Sequence, residues 1–411
     1  MANPRALSAK YEEDFAYPTV KDRLPIILTR VIDHVYRLKS TITDQHSEAG
    51  LEDLKFICAA LSRLKSEIQT DKPFRPLEDV MEDTGLWNEH FRETEKEEGR
   101  PPSWFKSPWL YVECYFYRKI MESFHLSTHL KTFDPFQAQK QQAYLASRQA
   151  ISSLGSYLTD VCLWGNKCDL SISAGAENPQ TTNPVKQLTN LKPNLLCDEG
   201  DQVWQHLRDN NSDIQHIDIV LDNAGFELFG DLCFAEYLLC SGLASTVHLH
   251  AKAMPWFVSD VTEGDFHWTL DQLSKDESPK LQKLAERWRR HLADGSWKFC
   301  IHQFWTLPYD FVKMKTSFPQ LYEEFSRGKI IFFKGDLNYR KLFGDLKWQP
   351  TTSFKEALRG FAPTAVCTLR SVKCDLAVGL DEGVAETTTA KDKNWMVSGD
   401  WAVIQVCSTL S

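Results

Sequence analysis

Apolar residues recur at helical spacing through the first part of the chain. From Leu24, the positions Ile27, Leu28, Val31, Ile32 and Val35 line one face of a helix. A second stripe joins Leu51, Leu54, Ile57, Leu61, Leu64 and Ile68. Residues 71–106 are charged and broken by Pro73, Pro76, Pro101 and Pro102, so they read as surface connections with a short helix at most. Ser107 then reads as an N-cap, with Pro108 at the first position of a helix running to Phe124. A last long helix is expected over 136–162. With no strand of convincing period in this half, residues 1–170 read as an all-helical region or cap.

Residues 171–192 are polar and carry Pro179, Pro184 and an Ala174-Gly175-Ala176 break, which suits a loop or linker. Beyond them the pattern changes. Short β-branched or aromatic runs at Ile217–Leu221, Thr246–His250, Trp297–Ile301, Lys329–Phe333 and Ala365–Leu369 alternate with helical stretches at 226–239, 281–293 and 318–327. Such alternation predicts a mostly parallel sheet with helices on both faces, a three-layer α/β/α domain over 193–411. The tail over 395–406 allows a hairpin at one sheet edge.

Composition narrows the classes. The chain has 411 residues, enough for two or three domains. It is 42% apolar and 25% charged, with 24 Phe, 13 Trp and 12 Tyr, which excludes disorder for its bulk. A net charge of −9 argues against a nucleic-acid face. No run of 18 apolar residues predicts a membrane span, and the first residues lack the apolar stretch of a signal peptide. Eleven cysteines without a C-x-x-C fit reduced thiols in a cytoplasmic or nuclear setting.

In a sheet of this kind ligands bind beyond the carboxyl ends of the strands. Three strand ends carry polar residues: Asp222-Asn223 after the first run, Asp260 after the second, and Lys334 to Arg340 after KIIFF. Each could simply cap a helix. Their coincidence points instead to a shared site. Two carboxylates and an amide oxygen suit Mg or Mn better than Zn. Three protein donors leave positions for water and substrate. Lys334, Arg340, Arg370 and Lys373 are the cations available for phosphate oxygens, so the combination predicts phosphoryl hydrolysis.

The strings Leu221–Leu228, Pro255–Asp260, Phe332–Leu342 and Arg370-Ser371-Val372-Lys373 resemble the metal-dependent damage-control phosphatases, once catalogued as domain of unknown function 89, and in particular their eukaryotic branch. Thr19–Arg23, Ser107–Leu110 with Glu113-Cys114, and Leu163–Ser171 extend the resemblance over nearly the whole chain. The resemblance implies Asp222, Asn223 and Asp260 as catalytic metal ligands, with Mn, Co or Ni as the ion. It implies that substrate is met by these three together with Glu227, Asp336, Leu337, Asn338, Tyr339, Arg340 and Lys373. The family signature Arg-Thr-x-Lys has Ser371 in its second position here, which keeps the hydroxyl. The implied activity is hydrolysis of small phosphorylated metabolites such as fructose 1-phosphate and related sugar phosphates. One branch member is also credited with methylating protein carboxyl groups.

Competing readings are weaker. Asn166-Lys167-Cys168-Asp169 matches the guanine-reading motif of GTPases, but the chain has no phosphate-cradling G-x-x-x-x-G-K-[ST]. The haloacid-dehalogenase D-x-D pattern is absent after the first run, so a metal-bound water is favoured as nucleophile, with direct attack by Asp222 left open. An S-adenosylmethionine-dependent carboxyl methyltransferase would carry a Gly-rich turn where this chain has Asp222-Asn223-Ala224-Gly225. His248 and His250 alternate on a strand and could bind a metal, though such pairs more often pack or bond locally. Glu113 and Arg118, on an apolar helix, are expected in ion pairs within the helix or between cap and core.

Overall fold

The structure, a computed structural model, describes residues 4–153, 192–209 and 216–408. The two apolar stripes fold as their spacing requires. Helix Leu24–Arg37 buries Ile27, Leu28, Val31 and Val35, and packs on Lys39–Gln69, which buries Leu54, Ile57, Leu61, Leu64 and Ile68. The second helix kinks at Ser47, where φ is 57°. The stretch expected to be surface connection contains a 15-residue helix, Thr84–Glu98, closed by Gly99 in the left-handed conformation. Its apolar contact is concentrated in Trp87, stacked on Tyr111, too little to show a period among the charges.

Helix Trp109–His125 is central. Pro108, not Ser107, is its N-cap, and no side chain caps it. All its residues from Trp109 to Phe124 are buried, so its charged groups must find partners inside the protein. Arg118 accordingly binds Asp79 and Asp83, and Glu113 binds Arg340 from the sheet side. The expected long helix is two, Gln137–Ala146 and Arg148–Ser153. Its later part, the Asn166–Asp169 motif and residues 171–191 of the expected linker lie outside the described residues.

Seven strands form one sheet: β1 Leu195–Asp198, β2 His216–Val220, β3 Thr246–Ala251, β4 Trp297–Ile301, β5 Ile330–Lys334, β6 Ala365–Ser371 and β7 Ala402–Cys407. Their order is β1-β7-β6-β5-β2-β3-β4, parallel except for the antiparallel β6–β7 pair. The tail is therefore a single strand inserted between β1 and β6, not an edge hairpin. All six residues of β7 are buried, as a strand with neighbours on both sides requires. β1, only four residues long, gave no pattern to read.

Helices cover both sheet faces, giving three layers. Ile217, Ile219, Val247, Leu249 and Phe332 pack in one core with the helices Phe226–Cys240, Glu263–Ser274 and Pro279–Asp294. Val220, Ile331, Phe333 and Val366 face the other way, into a core continuous with the N-terminal helices. The helical region and the sheet thus share apolar packing. Among the described residues, no helix is long and apolar enough to cross a membrane. From β2 the chain moves outward to β3 and β4, then returns to β5 on the other side of β2. The carboxyl ends of β2 and β5 therefore flank the crevice where such sheets bind ligands.

Candidate active site

Asp222 and Asn223 leave the end of β2 and are nearly inaccessible. Asn223 pairs with Asp260 in an isolated antiparallel bridge. Ala224 N donates to Ser259 O at 2.7 Å, and Val261 N donates to Asp222 O at 2.8 Å. These backbone bonds hold residues from two different strand ends side by side. The approach to Asp260 is strained: Phe257 and Val258 have φ of 43° and 68°, a conformation costly for a β-branched residue. Bonds from Ser259 N to Phe257 O and from Asp260 N to Trp256 O over-determine it, as does the Phe257 ring stacked on Tyr117.

Asp222, Asp260, Asp336, Leu337, Arg340 and Lys373 line one cavity of ≈ 20 Å³. Arg23, Trp109, Glu113 and Phe257 complete its wall. That space holds a water or an ion. A larger cavity of ≈ 290 Å³ opens at Phe56, Arg63, Arg75 and Glu122 in the helical region, away from the strand ends.

The supporting contacts separate the expected site residues. Asn223 Nδ2 donates to Asp222 Oδ2 at 2.7 Å and Glu227 Oε2 at 2.9 Å. Its Oδ1 accepts from Ser259 Oγ at 2.6 Å, which leaves a second lone pair for a cation. Glu227 and Lys334 sit behind it, fully buried. Lys334 Nζ donates to Glu227 Oε1 and Asp231 Oδ1, both at 2.8 Å, and does not line the cavity. Arg370 also stays behind the wall: its Nε donates to Asp336 Oδ1 at 2.7 Å, its Nη1 to Leu376 O, and it stacks on Tyr339. It positions Asp336, whose Oδ1 also accepts from Lys373 N.

Asn338 and Tyr339 turn their side chains inward. Asn338 Nδ2 donates to Lys334 O at 2.7 Å, and Tyr339 OH donates to Gln405 Oε1 at 3.0 Å. Arg340 reaches the cavity while held by Glu113, Asp345 and the Trp109 ring. Burial alone would lower its pKa, but the Asp345 and Glu113 charges outweigh that and raise it, so it stays cationic.

Five neighbours carried no expected site role: Arg23, Trp109, Glu113 and Phe257 in the wall, and Lys252, whose Nζ lies 3.0 Å from Asp260 Oδ2. Arg23, Trp109 and Glu113 stand in motifs already singled out in the sequence, which was the available signal. Asp222 and Asp260 bring two buried carboxylates to the cavity, with Lys252 offsetting part of the acidic charge, while Asn223, expected as the third ligand, does not line it.

A buried acidic cluster lies at the crevice of an α/β/α sheet with Arg340 and Lys373 beside it, an arrangement compatible with binding a phosphoryl group. The family model for the Damage-control phosphatase ARMT1-like domain matches residues 19–388, and the chain belongs to that family; it is a phosphatase. It is 44% identical to Damage-control phosphatase ARMT1 of Danio rerio, covering 99% of this chain and 98% of that protein. The Homo sapiens protein of that name is 39% identical, with 98% of each chain covered. A solved DUF89 family protein from Pyrococcus horikoshii aligns over 94% of this chain and 98% of its own, at 13% identity and a TM-score of 0.43.

Proposed function

We propose that the protein hydrolyses small phosphorylated metabolites, sugar phosphates such as fructose 1-phosphate among them, with Mn, Co or Ni bound by Asp222, Asn223 and Asp260. The observation that carries this reading is the Asn223–Asp260 bridge, which brings acids from two strand ends to one cavity with Arg340 and Lys373. The bound ion would supply a Lewis acid for the phosphoryl group and lower the pKa of an attacking water. Asp222 and Asp260 would hold it, and the Lys334–Glu227 pair fixes the Asn223 amide whose oxygen would complete the set.

Arg340 and Lys373 neutralise the phosphoryl oxygens as charge develops on them. The first amides of helix Gly335–Leu342 lack partners within the helix and add donors at its N-terminus, which lies against Asp222. Arg23 and Trp109 close the site from the helical side and exclude bulk water.

The test is phosphate release from a panel of sugar phosphates with Mn²⁺, Co²⁺, Ni²⁺ or Mg²⁺ added, with S-adenosylmethionine-dependent methylation of glutamate side chains assayed on the same preparation. The proposal expects release that requires the ion and stops with chelator. Methyl transfer that persists in chelator, without phosphate release, overturns it.

A further inference from the structure

A second group of metal-type donors lies apart from this site. His216 and Asp218 on β2 and His248 and His250 on β3 point to the same sheet face, because their positions are of one parity and the strands pair in register. Parallel pairing places Asp218 beside His248, and Val220 beside His250. The ligand atoms of His216, Asp218 and His248 all lie within 4.8 Å of one another. Those of His248, His250 and Cys300, from the edge strand β4, do so too. The cluster is separated from Asp222 by four residues of extended chain, about 13 Å at ~3.3 Å per residue.

We propose that His216, Asp218 and His248 form a second metal site, selective for a divalent transition ion of the zinc type. Two imidazoles and a carboxylate are the donors such ions prefer, unlike the all-oxygen set at Asp222 and Asp260. Ligand bonds of ~2.05 Å at tetrahedral angles put neighbouring donors about 3.3 Å apart. His216 Nε2 stands 3.3 Å from Asp218 Oδ2, and His248 Nδ1 stands 3.4 Å from Asp218 Oδ1.

Three further observations favour a cation here. His216 Nε2 and Asp218 Oδ2 are buried atoms that face each other at 3.3 Å and meet no better-aligned hydrogen-bond partner among the described residues. Gly328 keeps the space open: a Cβ there would lie 2.6 Å from Asp218 Oδ2 and 3.0 Å from His216 Nε2. His250 Nε2 bonds Asp218 Oδ1 at 2.8 Å, the kind of outer hydrogen bond that orients a ligating carboxylate. His216 and His248 keep 18% exposure each, which leaves a path for an ion from solvent. Cys300 on β4 stands within ligand distance of His248 and His250 as a softer donor.

Co²⁺ titration of the full chain, followed by visible absorption and by ion stoichiometry, tests the proposal. An Asp222→Asn/Asp260→Asn variant should still bind one Co²⁺ with a tetrahedral spectrum. A His216→Ala/His248→Ala variant should lose that spectrum while keeping Mn²⁺-dependent phosphate release, and the same pair added to the Asp222→Asn/Asp260→Asn protein should weaken Co²⁺ binding at least 100-fold. Should that pair misfold by circular dichroism, His248→Gln alone in the Asp222→Asn/Asp260→Asn background should weaken Co²⁺ at least 10-fold. Absence of the Co²⁺ spectrum from a folded Asp222→Asn/Asp260→Asn protein overturns the proposal, as does its survival in a folded histidine variant.

Discussion

A Cβ added at Gly335 would fall 1.9 Å from Asp222 Oδ2, so the backbone that begins the helix after β5 rests directly on a carboxylate from β2. Gly335 also has φ of 83°, which L side chains adopt only under strain. Gly335→Ala must therefore move the Asp222 carboxylate or the helix start. A displacement near 1 Å at such a site costs about 100-fold in rate. We expect kcat/KM to fall by about that factor and Tm by a few degrees, read from steady-state kinetics and thermal melts.

Lys373 lines the cavity, and its backbone N–H is anchored to Asp336. Lys373→Met keeps the length of the buried stem and removes the charge. A charge-assisted hydrogen bond to phosphate is worth ~1.5–3 kcal/mol. The variant should lose roughly 10- to 200-fold in kcat/KM, part of it in kcat because charge develops on the transferring group. Unchanged kinetics on every accepted ester would remove Lys373 from the site.

Acid stability should depend on the ion cluster under the central helix. Burial by itself would raise the Asp79 carboxyl, but hydrogen bonds from His125 and Arg118 outweigh it and hold it well below the usual carboxylate range. A depressed folded-state pKa means that the stabilisation is complete above the unfolded value near 4 and is lost as pH falls through the folded value. Asp79→Asn leaves Arg118 with Asp83 as its carboxylate partner and should cost about 1.5–3 kcal/mol at neutral pH, the worth of a charge-assisted hydrogen bond. Melts from pH 7 to 2.5 should show the gap between wild type and variant widest above pH 5 and narrowing below pH 4.

The sequence exposed what depends on local pattern. Ile217–Leu221 and Lys329–Phe333 read as buried strands, and the acids that follow them read as a site, because strand ends in a parallel sheet converge. Long-range pairing was hidden. Ala402–Cys407 inserts between β1 and β6, and nothing local distinguishes that from an edge. The same limit applies to side-chain partners. Lys334 and Arg370 looked available to phosphate because both follow or end strands, yet Glu227, Asp231 and Asp336 claim them. Trp109 and Arg23 wall the cavity from more than 100 residues away in the chain, a contact that only the shared apolar core brings about.

The dependence of phosphate release on Mn²⁺ concentration, compared between wild type and Asp260→Asn, tests the central claim most directly. Asp260 supplies one of two anionic ligands in the proposed set, and a unit charge ~4 Å from an opposite one at an effective dielectric near 20 is worth about 4 kcal/mol. Lys252 loses its carboxylate partner in the variant, so circular dichroism must first show a native fold. The account predicts that half-maximal activity needs at least 100-fold more Mn²⁺, with negligible release at the concentration that saturates wild type. A folded variant with the wild-type Mn²⁺ dependence and rate would contradict the assignment of Asp260 as a metal ligand.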